Sequence, residues 1–483
     1  MTAVNDGVIG DGLPLVVELH PIPNIEAALV RLARRPYCLF LDSALRHPQL
    51  GRYSFLMADP FEYWEVAADG SDALTTLAER MQPYRSSPVP GLPPFQGGAA
   101  GLLSYELAHS LERLPRPPFD ELQTPALAMG LYDVVLAFDH VQQRAWLISQ
   151  GFPELEPVAR RRRAEERLSQ FRAWLNEPSR DDSRGSGRDR ASSHRNSPIP
   201  RSASPSFSVP GPAGLRSNFS ADGYRQAVQL GIDYIHAGDV FQVNLAQRLL
   251  FPANCDALTL YLRLRQRNPA TFAAYFDLGR LQIVSASPER LVSVVGTQVE
   301  ARPIKGTRRR TSQPEADLFA GDELQASEKD RAENVMIVDL LRNDLSQVCR
   351  PESVHVSMLC GLESYEFVQH LVSVVRGSLN EGRTALDLVR AAFPGGSITG
   401  APKVRAMEII AEIEPTARGP YCGSLGYYGF DGTLDLSILI RTITADGDWW
   451  HLPVGGGIVA QSTPQHEYEE TWHKAAGLLR ALE

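Results

Sequence analysis

The sequence predicts an antiparallel α+β fold, and two observations carry that expectation. First, apolar runs are joined by hairpin signals: SLGYYGF, LDLSILIRTIT and WWHLPVGGGIVA are separated by Asp431-Gly432 and Asp446-Gly447. Asp-Gly accepts the positive φ that a two-residue hairpin turn demands, so between apolar runs it is a strong strand-turn-strand signal. Second, three helical patterns, over about 327–345, 384–393 and 402–413, lie among these strands. Hairpins mixed with packed helices indicate antiparallel α+β rather than a parallel βαβ sheet.

Along the chain, the N-terminal part, 1–176, alternates helical patterns with short strands, and GLYDVVLAF and RAWLIS form a predicted hairpin through DHVQQ. Residues 177–214 turn to Ser, Arg, Pro, Asp and Gly, with too few apolar side chains to offset the entropy of ordering, so a disordered linker is expected there. The C-terminal part, 215–483, then supplies most strand signals. LQIVSA, RLVSVV and QVEAR, separated by Ser-Pro and Gly-Thr, read as a meander that ends at Lys305. No internal repeat is present.

With 483 residues, 43% of them hydrophobic and 22% charged, the chain is long enough for a large core. A net charge of −9 argues against a nucleic-acid coat, and the basic run 160–163 is followed by Glu165 and Glu166, as on a solvated helix face. Cys38, Cys255, Cys349, Cys360 and Cys422 are odd in number and never form CxxC, which suggests neither a disulfide framework nor a thiolate metal site. The start lacks a basic-then-apolar leader and no run has the length of a membrane span; a cytoplasmic protein is expected.

The stretch RPIKGTRRR sets Lys305 between Pro-Ile and Gly-Thr, where a lysine alone is an ordinary surface residue. In SEKDRAENVMIVDLLRND, Ser327 is placed to cap a helix, and Asp330, Glu333, Ile337, Leu340, Leu341 and Asp344 fall on one stripe. An acidic first turn explains Asp330 through the helix dipole; Glu333, on an apolar stripe, needs a cation or strong donors. In the final helix Tyr468, Trp472, Ala475, Leu479 and Leu482 share a face, and Glu467, Glu470 and Lys474 share another, which in isolation reads as solvated. Two helical carboxylate pairs without a His/Cys cluster would suit Mg²⁺, a hard ion that prefers oxygen ligands. FPGGSITGAPK has Gly395 and Gly400 at P-loop separation, but Ala-Pro-Lys follows where Lys-Ser/Thr is needed, so the Walker reading is rejected. Gly455, Gly456 and Gly457 sit in a strand pattern, a sign of close backbone approach, while His370 alone is as well explained as a core histidine.

Together SASPERL, PIKGT, SEKDRAENVMIVDLLRND, VQHLVS, FPGGSITGAPK, YCGSLGYYG and GGGIVAQSTPQHEYEET stand in an order that resembles the chorismate-utilising enzymes. The resemblance covers 215–483, and FQGGAAGLLSYELA with LDSALRHPQLGRYSFL is similar to the first lobe of anthranilate and aminodeoxychorismate synthase large subunits. It implies the chorismate-utilising fold, large antiparallel sheets packed together with helices outside. Within the family, isochorismate and salicylate synthases carry a water-activating lysine where this chain has Gln242, which cannot act as that base. Anthranilate synthases usually have alanine in PIxGT; Lys305 resembles the aminodeoxychorismate synthase branch, component I, on the route to p-aminobenzoate and folate.

The resemblance further implies roles. Glu333 and Glu470 match Mg²⁺ ligands, and Asp330 and Glu467 outer partners, with Asp330 shorter than the family's usual glutamate. Tyr421, Arg441, Lys474 and the backbone of Gly455 and Gly457 match positions that hold chorismate's carboxylates; Thr307 and His370 match groups near the ring, and Glu289 the residue that moves a proton at the 4-hydroxyl. Lys305 would add to carbon 2 as a neutral amine, with Arg302 and Arg308 as candidate cationic neighbours. The chain shows no glutaminase motif, so ammonia would come from a separate glutamine amidotransferase subunit. A tryptophan pocket is expected near Leu41, Asp42, Ser43 and NPATFAAYF. Two other readings stand beside this one: anthranilate synthase component I, and a catalytically silent tryptophan-binding regulatory homologue.

Overall fold

The computed structural model describes residues 14–47, 50–178, 204–310, 314–364 and 368–483. Among them the strands form two antiparallel sheets, one of 13 strands and one of 10. The larger begins at Leu15–Glu18 and the Val134–Asp139/Arg144–Ser149 hairpin, passes through Leu39–Asp42, Phe272–Asp277 and Leu281–Ser287, and reaches Trp449–Ile458 and Gln242–Pro252. The smaller runs from Ile304–Arg309 and Val368–Ser378 through Arg290–Val295, Leu434–Ser437 and Ser424–Gly429 to Gly98–Leu103. Their inner faces meet in a core containing Leu39, Phe55, Ala100, Leu102, Leu425 and Tyr427. Phe55, Phe95 and Tyr427 interlock there at ring separations of 4.3 to 5.7 Å.

Helices cover the outside, as expected. Ile25–Leu32, Ala257–Arg267 and Pro464–Leu482 bury their apolar stripes on the larger sheet, and Glu328–Ser346 and Ala385–Ala392 on the smaller. Ser327 caps Glu328–Ser346 by accepting from the Asp330 backbone, and Thr384 and Asp387 form a full capping box. Among the described residues no helix is long and apolar enough to cross a membrane.

Two strand expectations are corrected. LQIVSA and RLVSVV do not pair as neighbours in a meander: Leu281–Ser287 belongs to the larger sheet and Arg290–Val295 to the smaller. Pro288 has no N–H to donate, so the ladder stops and the chain crosses between sheets. LDLSILIRTIT is likewise two strands, Leu434–Ser437 in the smaller sheet and Thr442–Asp446 in the larger. Arg441 bends the chain between them at φ 52°, in the left-handed region that non-glycine residues enter at a cost. The crossings are laced together: the Ile438 N–H donates to the Glu289 carbonyl at 2.9 Å, the Ala286 N–H to the Arg441 carbonyl at 3.0 Å, and the Ser287 hydroxyl to the Ile438 carbonyl at 2.5 Å.

Of the segment expected to be disordered, 177–214, the described ends are built into the fold. Glu177 pairs with Arg35, and Phe207–Ser208 joins the larger sheet against Arg216–Ser217. The parts before and after it share both sheets, since Leu39–Asp42 pairs with Phe272–Asp277 and Gly98–Leu103 with Ser424–Gly429.

Candidate active site

The candidate site forms where the two crossings meet the edge of the smaller sheet. In PIKGT, Pro303 interrupts the strand and Gly306, at φ 70°, makes a bulge, so the pairing with Val368–Ser378 slips between Lys305 and Thr307. A bulge re-aims the side chain beside it. A side chain at position 306 would also meet Leu324 at 2.6 Å and the Asp330 carboxylate at 3.0 Å, so glycine permits the acidic helix to close over the strand. Lys305 thereby turns inward. Its Nζ lies 3.7 Å from Glu333 Oε2 and donates, at 3.5 Å, to the carbonyl of Ser397 in the glycine-rich loop.

Glu289, on the first crossing and 4% exposed, accepts from the Ser397 hydroxyl at 3.0 Å. Burial pushes its carboxyl above the ordinary range, against the pull of Lys305 and the Ser397 hydroxyl. His370 lies opposite Thr307 in the sheet. Burial and Arg441 push the imidazole down to about 4, although a hydrogen bond to the Gly306 backbone opposes them, so the ring is neutral at pH 7. The side chain of Thr307 lies outside what the structure describes.

The four carboxylates expected to hold a metal each face a cation. Glu333 faces Lys305; Glu470 pairs with Lys474 at 2.6 Å; Glu467 lies 3.5 Å from Lys329; Asp330 lies 3.9 Å from Arg308. Burial raises Glu333, and the Asp330 and Glu470 charges raise it further against Lys305 and Lys329. Glu470, which burial would raise, is instead held low by Lys474, with help from Lys329 and Lys305. Oxygen-only donors of this kind fit a hard divalent ion. As the side chains stand, no three acidic, histidine or cysteine groups among the described residues are close enough together to hold a metal ion.

Several expectations are amended. Glu467 is not on a solvated face: it is 2% exposed and accepts from Ser462 at 2.6 Å. Arg302 and Arg308 are turned away from Lys305, towards Glu363 and Glu300 and towards Glu323 and Asp330. Lys305 therefore has carboxylates for neighbours.

Burial lowers the Arg441 guanidinium against the opposing pull of Tyr421 and Glu470, and Arg441 makes no ion pair among the described residues. Lys474 donates to the Gly455 carbonyl at 2.9 Å and lies with Glu467 and Glu470 around Gly456, where a side chain would meet all three within 3.5 Å. Gly455 and Gly457 pair with Ala246 and Asn244. Gln242, fully buried, lies beside Gly457, and neither end of its amide has a partner among the described residues. Ser397, Lys329, Asn244 and the Glu414–Arg418 pair were not singled out in the sequence. Lys329 precedes Glu333 by one helical turn, a spacing that could have flagged it.

These placements can be set against known proteins. Residues 49–480 match the model of the chorismate binding enzyme family. The chain belongs to the chorismate binding enzymes. It is 41% identical over 415 residues to anthranilate synthase component 1 of Thermus thermophilus, covering 85% of this chain and 83% of that one. It is 38% identical over 467 residues to aminodeoxychorismate synthase component 1 of Bacillus subtilis, covering 93% and 92%. Among solved structures, anthranilate synthase component I from Streptococcus pneumoniae superposes with a TM-score of 0.74 at 30% identity, covering 89% of this chain and 92% of that one. The expected α+β fold of the chorismate-utilising enzymes is thus the fold found.

A separate cavity of about 490 Å³ lies between the sheets, with Leu41, Asp42 and Ser43 on one wall and Phe272, Ala273 and Ala274 from NPATFAAYF on another. Asp42 is already engaged, accepting from Arg265 at 2.7 Å, Tyr261 at 2.9 Å and Ser54 at 3.1 Å. Arg290, next in sequence to Glu289, lines the same cavity.

Proposed function

We propose that this chain is the chorismate-binding component of an aminodeoxychorismate synthase, which converts chorismate and ammonia into 4-amino-4-deoxychorismate and water on the route to p-aminobenzoate. The observation that carries the reading is the amine of Lys305, turned into the site by the Gly306 bulge and set beside Glu289 and Glu333. An alanine at this position, as anthranilate synthases have, could not supply it.

In the proposed chemistry Lys305 passes a proton to Glu289, and the amine so freed bonds to carbon 2 of the ring. The ring double bond shifts, the carbon 4–oxygen bond breaks, and the hydroxyl leaves as water with the proton of Glu289. The raised carboxyl of Glu289 suits it to hold that proton. Ammonia then bonds to carbon 4, the double bond returns and the carbon 2–nitrogen bond to Lys305 breaks, leaving the enolpyruvyl ether intact. Arg441 and Tyr421 would hold a carboxylate, and neutral His370 a hydrogen bond near the ring. Mg²⁺, held by Glu333 and Glu470 with Asp330 and Glu467 outside them once the cations beside these carboxylates are displaced, would supply positive charge to the ring carboxylate. The ammonia would come from a glutamine amidotransferase, in keeping with the "component 1" of both relatives' names.

Product analysis with chorismate, Mg²⁺ and ammonium tests the reading. The expected product is aminodeoxychorismate, and Lys305→Ala lowers its formation by about 100-fold or more. Anthranilate and pyruvate formed without an added lyase would sink the reading in favour of anthranilate synthase. No turnover at all would favour a silent regulatory homologue.

For the cavity beside Leu41, Asp42 and Ser43 we propose tryptophan as the ligand, on its size and its mixed aromatic and charged walls. A tryptophan-dependent rise in melting temperature is expected. An unchanged transition would remove tryptophan from this reading.

A further inference from the structure

We infer that Arg418, buried behind the site, is a positioning residue that fixes the glycine-rich loop against the Gln242–Pro252 strand and so sets where Ser397 meets Lys305 and Glu289. The inference rests on the reaction proposed above. Arg418 is 6% exposed, and its guanidinium is used on every side. Nε donates to Glu414 Oε2 at 2.9 Å and Nη2 to Glu414 Oε1 at 2.6 Å; Nη1 donates to the Ile398 carbonyl at 2.9 Å, and Nη2 also to the Asn244 carbonyl at 2.9 Å. Glu414 in turn accepts from the Ala246 N–H at 2.8 Å, so the ion pair is keyed to the strand at two neighbouring peptides.

The consequence lies one residue away. Ile398 follows Ser397, whose hydroxyl binds Glu289 at 3.0 Å and whose carbonyl faces Lys305 Nζ at 3.5 Å. The Asn244 N–H adds a bond to the Thr399 carbonyl at 2.8 Å, so this short loop is held on both sides of Ile398. Arg418 also stacks 4.8 Å from the Tyr105 ring centre and lies 5.9 Å from that of Tyr421. A buried pair serving stability alone needs no such distribution, since well-packed apolar residues commonly serve as well. Here the planar fork reaches two backbone carbonyls on different segments, directions that a lysine's single ammonium cannot span together.

The test is steady-state kinetics of the full-length chain and its Arg418→Lys variant with chorismate, Mg²⁺ and ammonium, at a temperature where both are folded. Lysine keeps the charge beside Glu414 but cannot hold both carbonyls. Misplacing the loop by a fraction of an ångström to one ångström should lower kcat by ~100-fold, with KM for chorismate changed less than ~3-fold. In Arg418→Gly, added guanidinium should restore kcat by at least ~10-fold with saturation, since the lost fork returns in solution. If Arg418→Gly does not fold, Arg418→Lys decides. Wild-type kcat in Arg418→Lys, or a loss that disappears once rates are divided by the folded fraction, overturns the inference. A wild-type chain that forms no aminodeoxychorismate sinks the proposed reaction and this inference with it; turnover by wild type with an equally active Arg418→Lys sinks the inference alone.

Discussion

Two carboxyls of the candidate site sit in unlike environments, and the contrast gives Glu289 a testable role. Its carboxyl is buried and raised, while Glu470, also buried, is held low by Lys474. A proton donor with a raised value is competent while protonated, so wild-type kcat should decline as pH rises through the Glu289 value. Glu289→Gln keeps the shape and the Ser397 contact but has no proton to give. Its kcat should fall by about 10²- to 10⁴-fold and lose that alkaline decline, as a pH profile of kcat reads directly. An unchanged alkaline limb in the variant would move the role elsewhere. At this scale much of the site was legible in the sequence: Lys305, Glu289 and Glu333 stand in short motifs, and the structure brings them to one place. Ser397 and Arg418 were not legible. Ser397 acts through its backbone carbonyl as well as its hydroxyl, and Arg418 acts through carbonyls far along the chain; residue type reveals neither.

The strands carry the same division between what pattern shows and what packing decides. Asp-Gly turns announced the strands around 424–429 and 449–458 because turn chemistry is local. The crossings at 287–290 and 437–442 were hidden, since LDLSILIRTIT is apolar on both sides of the bend and its periodicity shows no break. The Trp449–Ile458 strand supplies a second prediction. His451 is 3% exposed, Nδ1 has no partner among the described residues, and burial, with Arg248 nearby, pushes its value down to about 3. The folded state thus resists a proton that the unfolded chain accepts near its ordinary value of ~6.5. Between those values the unfolded state binds more protons, so stability rises with pH and is lost as pH falls. From pH 7 to pH 5 this histidine alone should remove about 2 kcal/mol. His451→Leu should lose correspondingly less over that interval, measured by urea unfolding at the two pH values; equal losses would show that the ring protonates without penalty in the fold.

For the whole molecule, the composition shift at 177–214 invites a division into two units, and the sheets do not follow it. Leu39–Asp42 from before the segment pairs with Phe272–Asp277 from after it, and Gly98–Leu103 pairs with Ser424–Gly429 over six residues. Across the two sides the Tyr105 N–H donates to the Gly419 carbonyl at 2.8 Å and the Gly419 N–H donates to Glu106 at 3.1 Å, at the residue that lies between Arg418 and Tyr421. Each part alone would leave strand edges and the core around Phe55, Phe95 and Tyr427 open to water, a loss of order 1.5–3 kcal/mol for every large side chain exposed. A chain cut once between residues 178 and 204, through an inserted protease site, should therefore elute as one particle on size-exclusion chromatography. It should also unfold in a single transition and keep most of the activity of the uncut chain. Fragments that separate without denaturant, or a second transition in the melt, would mean that the shared sheets do not bind the two parts into one cooperative unit.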